Sequence, residues 1–238
     1  MREIEDFSDA RQKAWCIHCG KALSASKVNR DHVPTRSLLL NPDADDLPVT
    51  FVCQACNESF SLSEQYFVAL LNTVLCGSAN PRDHSNPKSA AILRGDKKLR
   101  RKLRNAERQE ADLFGQTRTI WQPDRAMLIP AVVKNARGHI YYEWGEPKFG
   151  EPTNVFIKPV SNLTSMEASF FGDQSMVIQP WPEVGSRAMT RLVEGQDMMG
   201  SWVIVEHEWY RYRVLQRDGL AVQMIVAEYL AIDVVWEE

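Results

Sequence analysis

Four cysteines stand in two pairs, Cys16-Ile17-His18-Cys19 and Cys53-Gln54-Ala55-Cys56. Each Cys-x-x-Cys places two thiolates on one metal ion, and two such pairs complete the tetrahedral four-sulfur site that suits zinc. His18 lies inside the first pair, but four cysteines already satisfy zinc. The 33 residues between the pairs exceed the ~15–20 of a simple zinc ribbon, so another structure is threaded between them. That stretch carries Asp31-His32-Val33-Pro34, and Asn57 directly follows the second pair. Histidine is the natural base for deprotonating a water near neutral pH. Asp31 and Asn57 offer a carboxylate and an amide oxygen of the kind a hard divalent cation takes. Adjacent strand residues point to opposite faces, so Asp31 and His32 can share a face only across a turn or bulge, which Pro34 fits. Bland alternatives stand beside each: a hydrogen-bonded structural histidine for His32, and a helix N-cap for Asn57.

The order Cys-x-x-Cys, Asp-His-apolar, Cys-x-x-Cys-Asn over about residues 14–66 resembles the zinc-stapled branch of the HNH endonucleases, the ββα-metal nucleases. The resemblance implies a β-hairpin bearing Asp31 and His32, a helix facing it, and a structural Zn²⁺ on Cys16, Cys19, Cys53 and Cys56. It implies His32 as general base for phosphodiester hydrolysis, with Asp31 and Asn57 holding a catalytic Mg²⁺ or Mn²⁺. The substrate class it implies is DNA, and the site chemistry alone does not separate DNA from RNA. Three positions depart from the family pattern. Thr35 stands where a proline is common, no asparagine lies near Pro48, and Phe60 replaces a lysine. The competing reading is a catalytically silent zinc module that binds nucleic acid or protein; a ribonuclease or toxin is a further one.

The elements that must position these residues read as follows. Residues 61–78 have Phe67, Leu70, Leu71, Val74 and Leu75 at helical spacing, with Cys76 as a small core residue. Gly77–Pro87 is turn chemistry and a linker. Residues 88–113 read as one amphipathic helix, apolar on Ile92, Leu99, Leu103, Ala106 and Leu113 and basic on Arg94, Lys97, Arg101, Arg104 and Arg108. That stripe, with five cations and no acid, suits phosphate backbones as well as plain solvent. Pro130 opens a helix through Ile140. β-like runs follow at Asn154–Lys158, Ala168–Phe171, Met176–Gln179, Trp202–Glu206, Tyr210–Gln216 and Val222–Tyr229. The fold class is therefore α+β: a zinc-bound ββα-metal module over 1–80, a linker and basic helix over 81–118, and a helix on a mostly antiparallel sheet over 119–238.

The chain has 238 residues, 44% apolar and 25% charged. That is ordinary for a globular protein and argues against disordered, collagen-like or disulfide-scaffold classes. No apolar run reaches the ~18 residues of a membrane span, and the charged N-terminus lacks the apolar core of a secretory signal. The expected address is the cytoplasm, where thiols stay reduced. Residues 1–118 hold 18 Lys and Arg against 15 Asp and Glu; residues 119–238 hold 10 against 16. The basic half suits a polyanion, and the acidic half suits substrate gating, a protein partner or a homodimer. Ala131–Gly145 resembles a companion region behind bacterial Asp-His-Val-Pro HNH proteins, and Glu206-His207-Glu208 reads as a strand end or turn.

Overall fold

The computed structural model describes residues 13–41, 47–111, 117–172, 186–195, 197–216 and 219–237. It is mixed α+β, with six α-helices and antiparallel sheets among the described residues. It divides into two compact units. One combines Met1–Glu58 with Val132–Glu238, and the other is Ser59–Ala131. These units cut across the three segments suggested by the sequence.

In the first unit, strands β1 (Val28–His32) and β2 (Val49–Cys53) form an antiparallel pair. Helix α1 (Gln54–Cys76) follows β2 without a loop. It starts seven residues before the expected Ser61, because the second cysteine pair itself forms the strand-to-helix junction. Cys76 ends the helix exposed rather than in the core.

The second unit holds the rest of α1, then α2 (Pro87–Gly95), α3 (Lys97–Ala106), β3 (Glu107–Ala111) and β4 (Thr117–Trp121). The single helix expected over 88–113 is therefore two helices and a strand. Asp96 makes the break: it closes α2 and caps α3, its carboxylate accepting from Lys98 N–H and Leu99 N–H at 2.8 and 2.9 Å. Periodicity ran through this Gly95-Asp96 stop-and-start signal because both helices bury leucines, Leu93 on one and Leu99 and Leu103 on the other. Arg94 consequently lies on α2, Lys97, Arg101 and Arg104 on α3, and Arg108 on β3. The cations do not form one helical stripe. β3 pairs with β4 from Glu107↔Trp121 to Ala111↔Thr117.

Helix α4 (Arg125–Trp144) begins five residues before Pro130, which sits inside it. Asp124 starts it by accepting from Ala126 N–H at 3.0 Å. From Ala131 to Ile140 every residue is buried, including Lys134, Asn135, Arg137 and His139.

The remainder of the first unit is a six-stranded, fully antiparallel sheet in the order β5-β10-β9-β8-β7-β6. Its strands are β5 (Asn154–Pro159), β6 (Met198–Met199), β7 (Trp202–Glu206), β8 (Tyr210–Gln216), β9 (Gly219–Val226) and β10 (Leu230–Glu237). Four expected strands recur here, and β6 and β10 are the two that no expected run covers. Ala168–Phe171 belongs to a helix, α5 (Ser165–Gly172), not a strand. Its paired phenylalanines have strand propensity, but Phe171 packs as a helical residue on Trp202, Ile225 and Ala231. The expected strand Met176–Gln179 and Trp181 lie outside the described residues. Helix α6 (Arg187–Glu194) precedes β6, capped by Ser186 and ended by Gly195 in the left-handed region. Every residue of β9 is buried, as expected of a strand covered on both faces. One face of the sheet meets α4, where His139 stacks on Tyr212 of β8 at 3.6 Å. The opposite face meets α5 through Phe171. Gly219 is required in β9, since a Cβ there would sit 2.0 Å from the Trp236 carbonyl oxygen.

Candidate functional site

The first cysteine pair sits in a tight turn. Cys16 N–H donates to Lys21 O and Gly20 N–H to Cys16 O, both at 2.9 Å, and Trp15 bridges Ala22. Gly20 adopts φ +68° to close it. In the second pair, Cys53 ends β2 and Cys56 lies on the first turn of α1. Gln54 N–H donates to Lys27 O at 2.8 Å, fixing the junction to the start of the hairpin. The four Sγ atoms of Cys16, Cys19, Cys53 and Cys56 lie within 4.8 Å of one another. Cys19 and Cys53 are 3.8 Å apart, the S···S edge of about 3.8 Å that a tetrahedron with ~2.3 Å Zn–S bonds requires. Ile17 and Val52, with Leu23 and Tyr141, pack with Cys16 and Cys53. The donor set and spacing fit a zinc ion.

The hairpin register runs unbroken from Val28↔Cys53 to His32↔Val49. The bulge expected at Asp31-His32 is absent, and a regular pleat turns their side chains to opposite faces. Asp31 is 7% exposed; His32 is half-buried. The Asp31 Oδ1 accepts from Lys134 Nζ at 2.7 Å, and Oδ2 lies 3.7 Å from His18 Nε2. Burial would raise this carboxyl, but His18 and Lys134 beside it hold it below its ordinary value. His18 is itself lowered, chiefly by burial. His32 is lowered by burial and by the Arg36 guanidinium, with Asp31 opposing. Asn57 lies half-buried in the first turn of α1, inside the helix and not at its N-cap.

Helix α4 builds the rest of the site. Besides Asp31, Lys134 Nζ donates to Thr35 Oγ1 at 3.1 Å, and Thr35 N–H donates to Asn135 Oδ1 at 2.8 Å. One turn on, a Cβ at Gly138 would lie 2.9 Å from Val33 Cγ2, so glycine lets the helix approach the hairpin. The sheet holds the segment that follows: Trp209 Nε1 donates to Leu38 O at 2.7 Å. Glu206 accepts from Leu40 N–H and Asn41 N–H at 2.9 and 3.0 Å. Glu206-His207-Glu208 is thus a strand end and turn, with Glu206 employed as an anchor.

Sequence reasoning missed the roles of Lys134, Asn135 and Glu206, because each acts on residues about a hundred or more positions away. Their one local signal was polar side chains on a segment that otherwise reads as core. Of the expected nucleic-acid contacts, Arg94, Lys97, Arg101, Arg104 and Arg108 are all exposed, in the second unit. No protein-family model matches the chain, and no curated protein or solved structure matches it. Among the described residues, no helix is long and apolar enough to cross a membrane.

Proposed function

We propose that this chain is a metal-dependent nuclease of the ββα-metal type, hydrolysing phosphodiester bonds of DNA. The observation that carries the reading is the chain order β1-β2-α1. His32 stands at the end of β1, Asn57 in the first turn of α1, and the four-cysteine cluster pins the hairpin to the helix. In this reading His32 takes the proton of a water whose oxygen attacks phosphorus. One P–O bond forms, another breaks, and the departing oxygen leaves as an alcohol after protonation. A Mg²⁺ or Mn²⁺ supplies positive charge at the phosphate. Asn57 and Asp31 are the residues to hold it, although Asp31 has Oδ1 on Lys134 and Oδ2 3.7 Å from His18, and leaves β1 on the face opposite His32.

That last point favours a second reading. A buried Asp31 already balanced by Lys134 needs no metal, as in a silent zinc module that binds nucleic acid or protein. Purified protein incubated with plasmid DNA and with RNA, in Mg²⁺, Mn²⁺ or EDTA, separates the two. The nuclease reading expects EDTA-sensitive cutting that falls ~10²–10⁴-fold in His32→Ala. Cutting undiminished in His32→Ala, or no cutting of either substrate, leaves the silent module. Preference for RNA would reassign the substrate.

A further inference from the structure

We propose that the Ser59–Ala131 unit carries a phosphate-binding cleft for the backbone of a nucleic-acid strand, on a different face from the Arg94–Lys97–Arg104 side. The cleft has a volume of about 470 Å³ and is walled by α3, the start of β3 and the Gln122-Pro123-Asp124 connection, with Tyr66 of α1 beneath. Lys98, Arg101, Lys102 and Asn105 reach it at i, i+3, i+4 and i+7, the spacing of one helix face. Lys97 and Arg104 lie on the neighbouring face and do not line it.

The charge and donors in the cleft suit an oxyanion. Four cations line it, against one acid, Asp124, which is ion-paired with Lys102. Lys98 and Arg101 are exposed, and Arg108 is steadied by its Nη1, which donates to Asn105 O at 2.6 Å and Glu107 O at 2.7 Å. Tyr66 is 1% exposed and lines the same cleft. Its hydroxyl accepts from Asp124 N–H at 2.6 Å, and its own proton has no protein acceptor among the described residues. Burial pushes the phenol up and so keeps that proton. A buried O–H donor in a cleft that lysine and guanidinium groups also line matches a phosphate group, where a charge-assisted bond is strongest. The choice of a nucleic-acid strand rests on the nuclease reading; binding through the cleft does not.

The test uses the full chain in EDTA, with fluorescence anisotropy of a labelled 20-base-pair duplex across a salt series. Two double variants are compared: Lys98→Ala with Arg101→Ala in the cleft, and Lys97→Ala with Arg104→Ala beside it. All four side chains are exposed, so both variants should fold, and circular dichroism verifies this. Each lost phosphate contact flattens the slope of log affinity against log salt by ~0.9. The cleft pair should flatten it by roughly 2 and weaken binding about tenfold at low salt; the neighbouring pair should give less than half of either effect. Equal effects, no effect, or no duplex binding by the wild type overturns the proposal. ADP or inorganic phosphate that binds tightly while duplex does not would assign the cleft to a small phosphate ligand instead, and overturn it likewise. His32→Ala protein should keep the wild-type slope, so loss of the nuclease reading leaves this result standing.

Discussion

At the scale of single residues, Asp31 and Lys134 set the character of the hairpin's inner face. A buried charge left alone is costly, and breaking such a pair by removing one partner typically costs ~3–5 kcal/mol. Lys134→Met should therefore lower the unfolding free energy by about that much. Asp31→Asn in the same protein should restore part of it, as measured by urea denaturation of the double-mutant cycle. Additivity of the two substitutions would show that the pair is not coupled. The cysteines give a second expectation: metal analysis should find one zinc per chain, and Cys53→Ser should lower the melting temperature. A zinc-free protein melting as cooperatively as the metallated one would argue that hydrogen bonds and packing alone close the cluster. The cysteine pairs were fully legible in the sequence, because ligand type and spacing are local. The partnership of Asp31 with Lys134 was not, since nothing near either residue announces the other.

At the scale of elements, the close approach of α4 to the hairpin makes a sharp expectation. Gly138→Ala would drive a methyl group against Val33, and overpacking of this kind costs ~1–3 kcal/mol. Val33→Ala should be destabilising alone yet relieve Gly138→Ala, seen as a coupling in thermal unfolding. Asp96→Ala removes the carboxylate that caps α3 and should cost ~1 kcal/mol, read from the same experiment. These elements also show where the sequence could and could not be read. Turn residues bounding β-branched and aromatic runs marked β5, β7, β8 and most of β9, since those signals are local. β6 is too short to carry a pattern, and β10 was missed because the turn before it, with Ala227 and Glu228 at positive φ, holds no Gly, Pro or Asn to mark it. Ser61 looked like a helix start because a cysteine-pair junction, unlike a cap, carries no helical signature. α4 was placed late because Pro130 imitates a first helical residue, and its buried polar face disguised its contacts with both hairpin and sheet.

At the scale of the whole molecule, α4 lies between the hairpin and a buried polar layer on the sheet. Glu143 accepts from Tyr212 and from Arg191, and Arg191 also pairs with Asp197 at 2.5 Å. His139, fully buried beside them, shares a 2.9 Å hydrogen bond with Tyr210. Burial, with a smaller push from Arg191, lowers its pKa from 6.5 to about 3. The charged or titratable groups around it are Tyr210 and Tyr212, whose phenols burial raises, and the ion-paired Arg191 and Glu143. The unfolded chain gains a proton as pH falls through 6.5, whereas the folded one does so only near 3. Stability is thus complete above 6.5 and declines below it, by up to ~1.4 kcal/mol per pH unit for this one group. His18 and His32 add in the same direction. His139→Gln should show a shallower loss between pH 6.5 and 5 in denaturant titrations; an identical slope would place the proton uptake elsewhere. The same helix bears on how the chain is made. The ribosome delivers the cysteine hairpin first, but Lys134, Asn135 and Gly138 emerge only after all of Ser59–Ala131. Until then the newborn hairpin has Asp31 without its lysine and Val33 without its cover. A fragment ending at residue 80 should behave as that nascent form does, exchanging its hairpin amides quickly even when supplied with zinc.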